Sequence, residues 1–337
     1  MIGIKKMSNN SPKCDVNTQE FCNLLKELSL KYNLLGKTRK FINDIQKTAK
    51  GELWRKDKNL GCFFLTEEFE NKFFLNLLGE VDRGTIITKY TNTEGLKRIC
   101  SCNQQSMTSL IGMNDSGECL YATQYMENNG YKKVLETSDD IFIGISSFIT
   151  SFTTKKDDLT MWRLYGDDAK GVAIHYKVEE LPCDFYLAHV SYANKDGYHP
   201  ELLLLVKMTE ITLDSCKFCF KYLYKWRYFF KSYEYNVEDE IRLLYISDKI
   251  EKNSKWITTG AGIIAPLVCF PVVDEDNSYQ PDASIYPLSL VGARLGPQFP
   301  KQSMNSETIK RMFKTRFGWT EKEFEVSSSN IKNYKNL

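Results

Sequence analysis

At Gly84 the hydrophobic pattern of the chain changes period, and that change sets the class of fold. Upstream, apolar residues recur at helical spacing: Phe21, Leu24, Leu25, Leu28 and Leu30, then Phe41, Ile42 and Ile45 after a break at Leu35-Gly36. A further helical stretch, Leu65 to Leu78, carries Phe69, Phe73, Phe74 and Leu77 and stops at Gly79. Downstream, Thr85-Ile86-Ile87-Thr88-Lys89-Tyr90-Thr91 is rich in β-branched residues and reads as a strand. Residues 1–84 are therefore expected to form a helical N-terminal segment, and 85–337 one mixed α/β domain.

Within that domain the alternation continues. A helix is expected from Thr93 to about Cys100, capped by Asn92 or Thr93, then a turn at Met113-Asn114-Asp115 and a helix over Cys119 to Asn128. Strands follow at Ile141–Ser146, Ser147–Phe152, Gly171–Val178 and Ala188–Tyr192, with one or two helical turns at Leu159–Tyr165. The span from Pro200 to about Phe230 reads as one long helix. There is no internal repeat.

Composition excludes some functions. A net charge of +2 over 337 residues argues against a surface that grips nucleic acid everywhere, though a local patch is compatible with it. Met1 to Val16 has no apolar core followed by a cleavage site, and the apolar runs Gly260–Val273 and Leu202–Val206 are too short or proline-broken to span a bilayer. A soluble, cytoplasmic protein with no membrane partner is the expectation. Ten cysteines are spread along the chain; Cys100-x-Cys102 and Cys216-x-x-Cys219 are half-motifs without a second pair, so no metal site is expected. Three histidines, with no local nucleophile–base arrangement, give no support to a catalytic triad.

The run Tyr235-Asn236-Val237-Glu238-Asp239-Glu240-Ile241-Arg242 carries the candidate chemistry. On an extended strand, residues i and i+2 share a face, so Glu238, Glu240 and Arg242 are expected to line one surface. Two neighbouring carboxylates can divide acid and base roles between them. The plainer alternative is an exposed strand edge with glutamate–arginine pairing.

Glu238-x-Glu240-x-Arg242 stands in order with Thr150-Ser151-Phe152-Thr153, Met161-Trp162-x-x-Tyr165-Gly166, Gly171-Val172 and Leu290-Val291-Gly292-Ala293-Arg294-Leu295-Gly296-Pro297. From Ile86 to Pro297 this series resembles a bacterial domain-of-unknown-function family with a Phe-Ser…Met-Trp-x-x-Tyr-Gly…Gly-Val and Glu-x-Glu-x-Arg pattern. More distantly, the order of parts resembles the ADP-ribosyltransferase superfamily, which implies a split-sheet α/β (α+β) fold and NAD as substrate. The resemblance implies that Glu240 holds the nicotinamide ribose with Glu238 assisting. It also implies that Lys89, Tyr90 or Thr91 meets the adenosine ribose or the nicotinamide amide, and that Ser151, with Thr150 or Thr153, braces the cleft. Trp162 and Tyr165 would wall the nicotinamide pocket, and Arg242 would join the cofactor-binding set. The role so implied is a toxin or anti-phage defence effector that modifies a nucleic acid or protein, or cleaves NAD.

Alternatives stay open beside it. Trp162 and Tyr165 at helical spacing also suit core packing, and Gly292 and Gly296 suit a simple turn. The run Lys217 to Tyr228 interleaves basic and aromatic residues, which suits stacking on single-stranded nucleic acid if it is not buried. A non-catalytic nucleotide- or nucleic-acid-binding module and a metal-dependent nuclease-like toxin are the rival functions. The N-terminal helices are candidates for self-association or for a regulatory partner.

Overall fold

A computed structural model of the chain describes residues 16–112, 116–132, 146–247, 254–258, 262–272, 286–320, 322–332 and 334. The expected turn at Met113-Asn114-Asp115 and most of the expected strand at Ile141–Ser146 lie outside these residues. The strands, in chain order, begin with β1 (Trp54–Asp57), β2 (Cys62–Leu65), β3 (Ile86–Thr91), β4 (Gln104–Ser109) and β5 (Ser147–Thr153). Next come β6 (Val172–Val178), β7 (Phe185–His189), β8 (Ser191–Tyr192), β9 (Thr212–Leu213), β10 (Cys216–Phe218) and β11 (Phe230–Lys231). The last are β12 (Glu240–Ile246), β13 (Ser254–Thr258), β14 (Ile264–Pro271), β15 (Leu288–Leu295) and β16 (Glu325–Ser328). The fold is mixed α/β.

The chain forms two compact units, and neither is continuous in sequence. One gathers residues 1–80, 115–143 and 188–236; the other gathers 81–114, 144–187 and 237–337. The first departs from an all-helical N-terminus. Helices Thr18–Lys31 and Leu35–Lys47 do form, the first capped by the Asn17 side chain, which accepts from the Glu20 amide. The turn between them is made by Asn33 in the left-handed region (φ 59°), and Leu35-Gly36 opens the second helix. Beyond them, however, β1 and β2 pair antiparallel, and β10 joins β2 in parallel from more than 150 residues away. Cys62-Phe63-Phe64-Leu65 is buried at every position, so no alternation betrays it as a strand.

The expected helix from Pro200 to Phe230 is also shorter than its pattern suggests. It ends at Met208, and the chain turns back through Asp214 and Ser215, both at positive φ, to pair β10 with β9. The basic–aromatic run that follows is largely core. Phe218 and Trp226 are fully buried, Trp226 stacks on Phe74 at 5.4 Å, and Lys225 is buried with its ammonium donating to Glu67. A stacking platform for nucleic acid needs exposed rings, so this run does not offer one.

The second unit is built on a ten-stranded sheet in the order β13-β14-β4-β5-β3-β6-β15-β16, with β12 beside β5 and β7 beside β12. Its central feature is a fork. β12 pairs β5 along its whole length, from Glu240↔Thr153 to Ile246↔Ser147. On the opposite edge of β5, β4 pairs only at Phe148 and Ile149, and β3 only at Thr153. Two arms of sheet thus leave one strand from its two ends. One face is packed by Ile87, Phe152, Ile174, Tyr176, Ile241, Leu243 and Leu295, with the Gln302–Phe317 helix contributing Ile309 and Phe313. Helix Leu159–Tyr165 packs on the other face.

Candidate functional site

The pleat decides which side chains can meet. Ile241 and Leu243 point into the large core, so Glu240 and Arg242 point to the opposite face. Register carries that face across the sheet. Glu240 lies opposite Thr153, Thr153 opposite Thr88, and Thr88 opposite His175, which gives a polar row over β12, β5, β3 and β6. One register step away, Arg242 lies opposite Ser151, and Tyr90 opposite Ala173.

Glu238 does not reach this row by strand alternation. Tyr233–Glu238 is a 3-10 helix, and Asp239 takes a left-handed conformation (φ 46°), so the strand begins only at Glu240. The Thr154 hydroxyl donates to the Asp239 carboxylate and the Lys155 ammonium to the Val237 carbonyl, which hold this turn against the end of β5. The pair that does share a strand face is Glu240 and Arg242. Arg242 Nε donates to Oε1 at 2.7 Å and its terminal nitrogen to Oε2 at 2.9 Å. The two are 3% and 2% exposed, so this is a buried, bidentate ion pair.

Glu238 is 6% exposed and accepts from the Tyr165 hydroxyl. Tyr165, at the C-terminal end of the Leu159–Tyr165 helix, is itself 45% exposed and stands at the surface above that carboxylate. Trp162 is fully buried. Its ring meets Tyr90 edge to face at 4.7 Å, and its Nε1 donates to Asp157 at 2.7 Å. Tyr90 is fixed in turn by donating to the Lys155 carbonyl at 2.9 Å and accepting from the Asp158 amide at 3.0 Å. Trp162 and Tyr90 are packing residues beneath the helix, and Tyr165 alone of the three aromatics is exposed.

Glu238, Glu240, Arg242, Ser151, Tyr90, Trp162 and Tyr165 are thus brought to one side of the sheet. Lys89 and Thr91 are not. They alternate with Thr88 and Tyr90 and point to the large-core face, where burial lowers the Lys89 ammonium to about 8. Thr150 shares that core face, opposite Leu243. Gly171 and Gly296 serve close backbone approach: a methyl group at Gly171 would lie 2.3 Å from the Thr91 carbonyl oxygen, and one at Gly296 2.2 Å from that of Ala169.

Three residues of the site carry no motif in the sequence. Thr88 and His175 are joined, Oγ1 to Nδ1, at 3.0 Å. Burial, with Arg294 and Lys156 close by, pushes the His175 imidazole down to about 4, so it is neutral at pH 7. Asp157 accepts from Trp162, from the Ser329 hydroxyl at 2.8 Å and from the Asn330 amide at 2.8 Å, and pairs with Arg294 at 3.3 Å. Burial works to raise its carboxyl, but these donors outweigh it and hold it below the usual range. The signal for His175 was its place two residues after Ala173 in a clear strand; its partner across the sheet was not legible.

Residues 161–243 match the model of a family described as "Protein of unknown function (DUF2971)". The match opens on the Met161-Trp162-x-x-Tyr165 helix and closes within β12 after Glu240 and Arg242, so it brackets the carboxylate site. It is shorter than the span from Ile86 to Pro297 over which the motifs occur. No curated protein and no solved structure matches the chain. Among the described residues, no helix is long and apolar enough to cross a membrane.

Proposed function

We propose that the second unit is an ADP-ribosyltransferase-like domain that cleaves NAD at the nicotinamide bond, with Glu240 as the carboxylate at the reacting ribose. The observation that carries this reading is the fork at β5. Glu240 stands at the head of the strand that pairs the forked strand, in one polar row with Thr153 and Thr88, and Glu238, two residues earlier, accepts from an exposed tyrosine. The resemblance implies a split sheet and a catalytic glutamate offered by one of its later strands.

The chemistry fits carboxylates held in this way. Departure of nicotinamide leaves an oxocarbenium-like ribose, and a fixed negative charge stabilises it best where water is excluded. Arg242 supplies the counter-charge while the site is closed. For turnover it must yield one carboxylate oxygen to a ribose hydroxyl. Tyr165, exposed and hydrogen-bonded to Glu238, is placed to move aside and wall the leaving ring. The acceptor is a protein, a nucleic acid or water. The wider role, a cytoplasmic effector in toxicity or phage defence, rests on the resemblance alone.

A second reading has its own observation. Both oxygens of Glu240 are already taken by Arg242 in a buried pair, which suits a structural bond in a non-catalytic nucleotide-binding module. Incubating the purified chain with labelled NAD, with and without lysate protein, RNA and DNA, separates the two. Nicotinamide release that is lost in folded Glu240→Gln and reduced in Glu238→Gln supports the transferase. NAD that binds unchanged to both variants without turnover supports the binding module. No turnover and no binding at millimolar NAD rejects the transferase and leaves a module for another nucleotide or a nucleic acid in front.

A further inference from the structure

The helix that presents Tyr165 is held from outside the motif, by the end of the described chain. After β16, the Ser329 amide donates to the Leu295 carbonyl at 2.9 Å, which keeps the tail on the sheet. The Ser329 hydroxyl and the Asn330 amide then both donate to Asp157, the same carboxylate that accepts from Trp162. Ile331 and Tyr334 pack on the cluster of Tyr90, Met161, Trp162, Ala169 and Ala173. The Tyr334 hydroxyl donates to Asp168, and the Arg163 guanidinium lies 5.4 Å from the Tyr334 ring centroid. The tail therefore grips the Leu159–Tyr165 helix at both ends: at Asp157 before its first turn and at Arg163 and Asp168 around its last.

That helix is only seven residues long, too short to persist without tertiary contacts. Its inner side is fixed by Met161 and Trp162, whereas Leu164 and Tyr165 are more than 40% exposed. Tyr165 in turn covers Glu238. Three layers are stacked in order: tail on helix, helix on carboxylate.

We propose that Ser329, Asn330, Ile331 and Tyr334 form a releasable strap that keeps the Leu159–Tyr165 helix docked and so keeps Tyr165 closed over Glu238. The strap uses two hydrogen bonds to one carboxylate, one to another, and two half-buried side chains. A contact of that size can open locally without unfolding the sheet. Asp157 is its positioning residue: it joins the tail to Trp162 and touches neither Glu238 nor Glu240 in any bond described. The functional consequence rests on Glu238 being a site residue, whereas the strap itself does not.

The test uses the full chain carrying Ile331→Asp with Tyr334→Ala, and a milder variant, Tyr334→Phe, which removes only the hydroxyl on Asp168. Amide exchange of residues 159–165 is followed together with carbodiimide labelling of Glu238. The double variant is expected to speed exchange in the helix roughly tenfold and to raise Glu238 labelling several-fold, with the milder one intermediate and exchange in β3 and β5 unchanged. Faster exchange confined to residues 329–334, with the helix and Glu238 as in the parent, overturns the strap. If the double variant loosens the whole unit, Tyr334→Phe decides by the same two readouts. Nicotinamide release is recorded in parallel. Exchange that responds while no form releases nicotinamide rejects the transferase reading and leaves the strap standing.

Discussion

Arg242 holds both carboxylate oxygens of Glu240, its neighbour but one on the same strand, at 2.7 and 2.9 Å. Each side chain is nearly fully buried, so the bidentate contact offsets part of what both lose on leaving water. Removing one partner takes the bidentate contact from a buried charge. Arg242→Met is expected to destabilise the fold by ~3–5 kcal/mol, whereas Glu240→Met with Arg242→Met should recover most of that loss. Urea unfolding of the two variants measures it; equal losses would mean that the pair is not the relevant unit.

His175 makes stability depend on pH in a defined window. Its imidazole sits at about 4 in the folded protein against 6.5 unfolded, so the unfolded chain takes up a proton that the native state refuses. Stability is full above pH 6.5 and falls as the pH drops toward 4, by about 2–3 kcal/mol from this residue. His175→Gln should flatten that slope in urea melts taken across the window. An imidazole titrating near 6.5 by NMR in the native protein would contradict the burial described.

Asp157 acts at lower pH and with its own sign. Its carboxyl is held below the ordinary value of 3.8, so its contribution is present above that value and is lost as pH falls through the depressed folded value. Asp157→Asn is expected to weaken the protein at neutral pH and to shallow the acid limb of its stability curve. Because Trp162 Nε1 donates to this carboxylate, the tryptophan emission should shift as well.

Gly171 offers a prediction of steric origin. A methyl group there meets the Thr91 carbonyl oxygen at 2.3 Å and that of Gly166 at 2.8 Å, and both obstacles are backbone. Gly171→Ala should cost at least ~1–3 kcal/mol by displacing the start of β6 from the end of β3. Thermal unfolding tests it, with Gly36→Ala, which meets nothing within 4 Å, as the tolerated control.

Much of the second unit could be read from residues directly. β3 and β6 are β-branched or strongly alternating, and the helical turns at Leu159–Tyr165 follow a polar loop, whose Asp158 side chain accepts from the Met161 amide in the structure. The failures have distinct physical causes. Gln104–Ser109 is a strand of mostly polar residues that buries Gln105 and Ser109 beside Met107, so its alternation is invisible to hydrophobicity. Glu238 leaves the strand face because Asp239 adopts a conformation that no period reports. The site itself was half legible: Glu240, Arg242 and Ser151 follow from strand alternation once register is known. Lys89 and Thr91 could not be told from Tyr90 until the sheet showed which face held the core. Thr88, His175 and Asp157 depend on pairings between distant segments.

The forked strand has a consequence for how this sequence can vary. β5 is read by three partners at once: β12 along one edge, β4 at one end of the other edge and β3 at its far end. Adding or deleting a single residue between Ile149 and Thr153 would turn Ser151 and its neighbours through the sheet and leave β3 and β4 demanding incompatible registers. Homologous chains should therefore keep the length of β5 unchanged, whatever substitutions its packing allows. Insertions should accumulate in the segments between strands, where no second arm has to agree on the count.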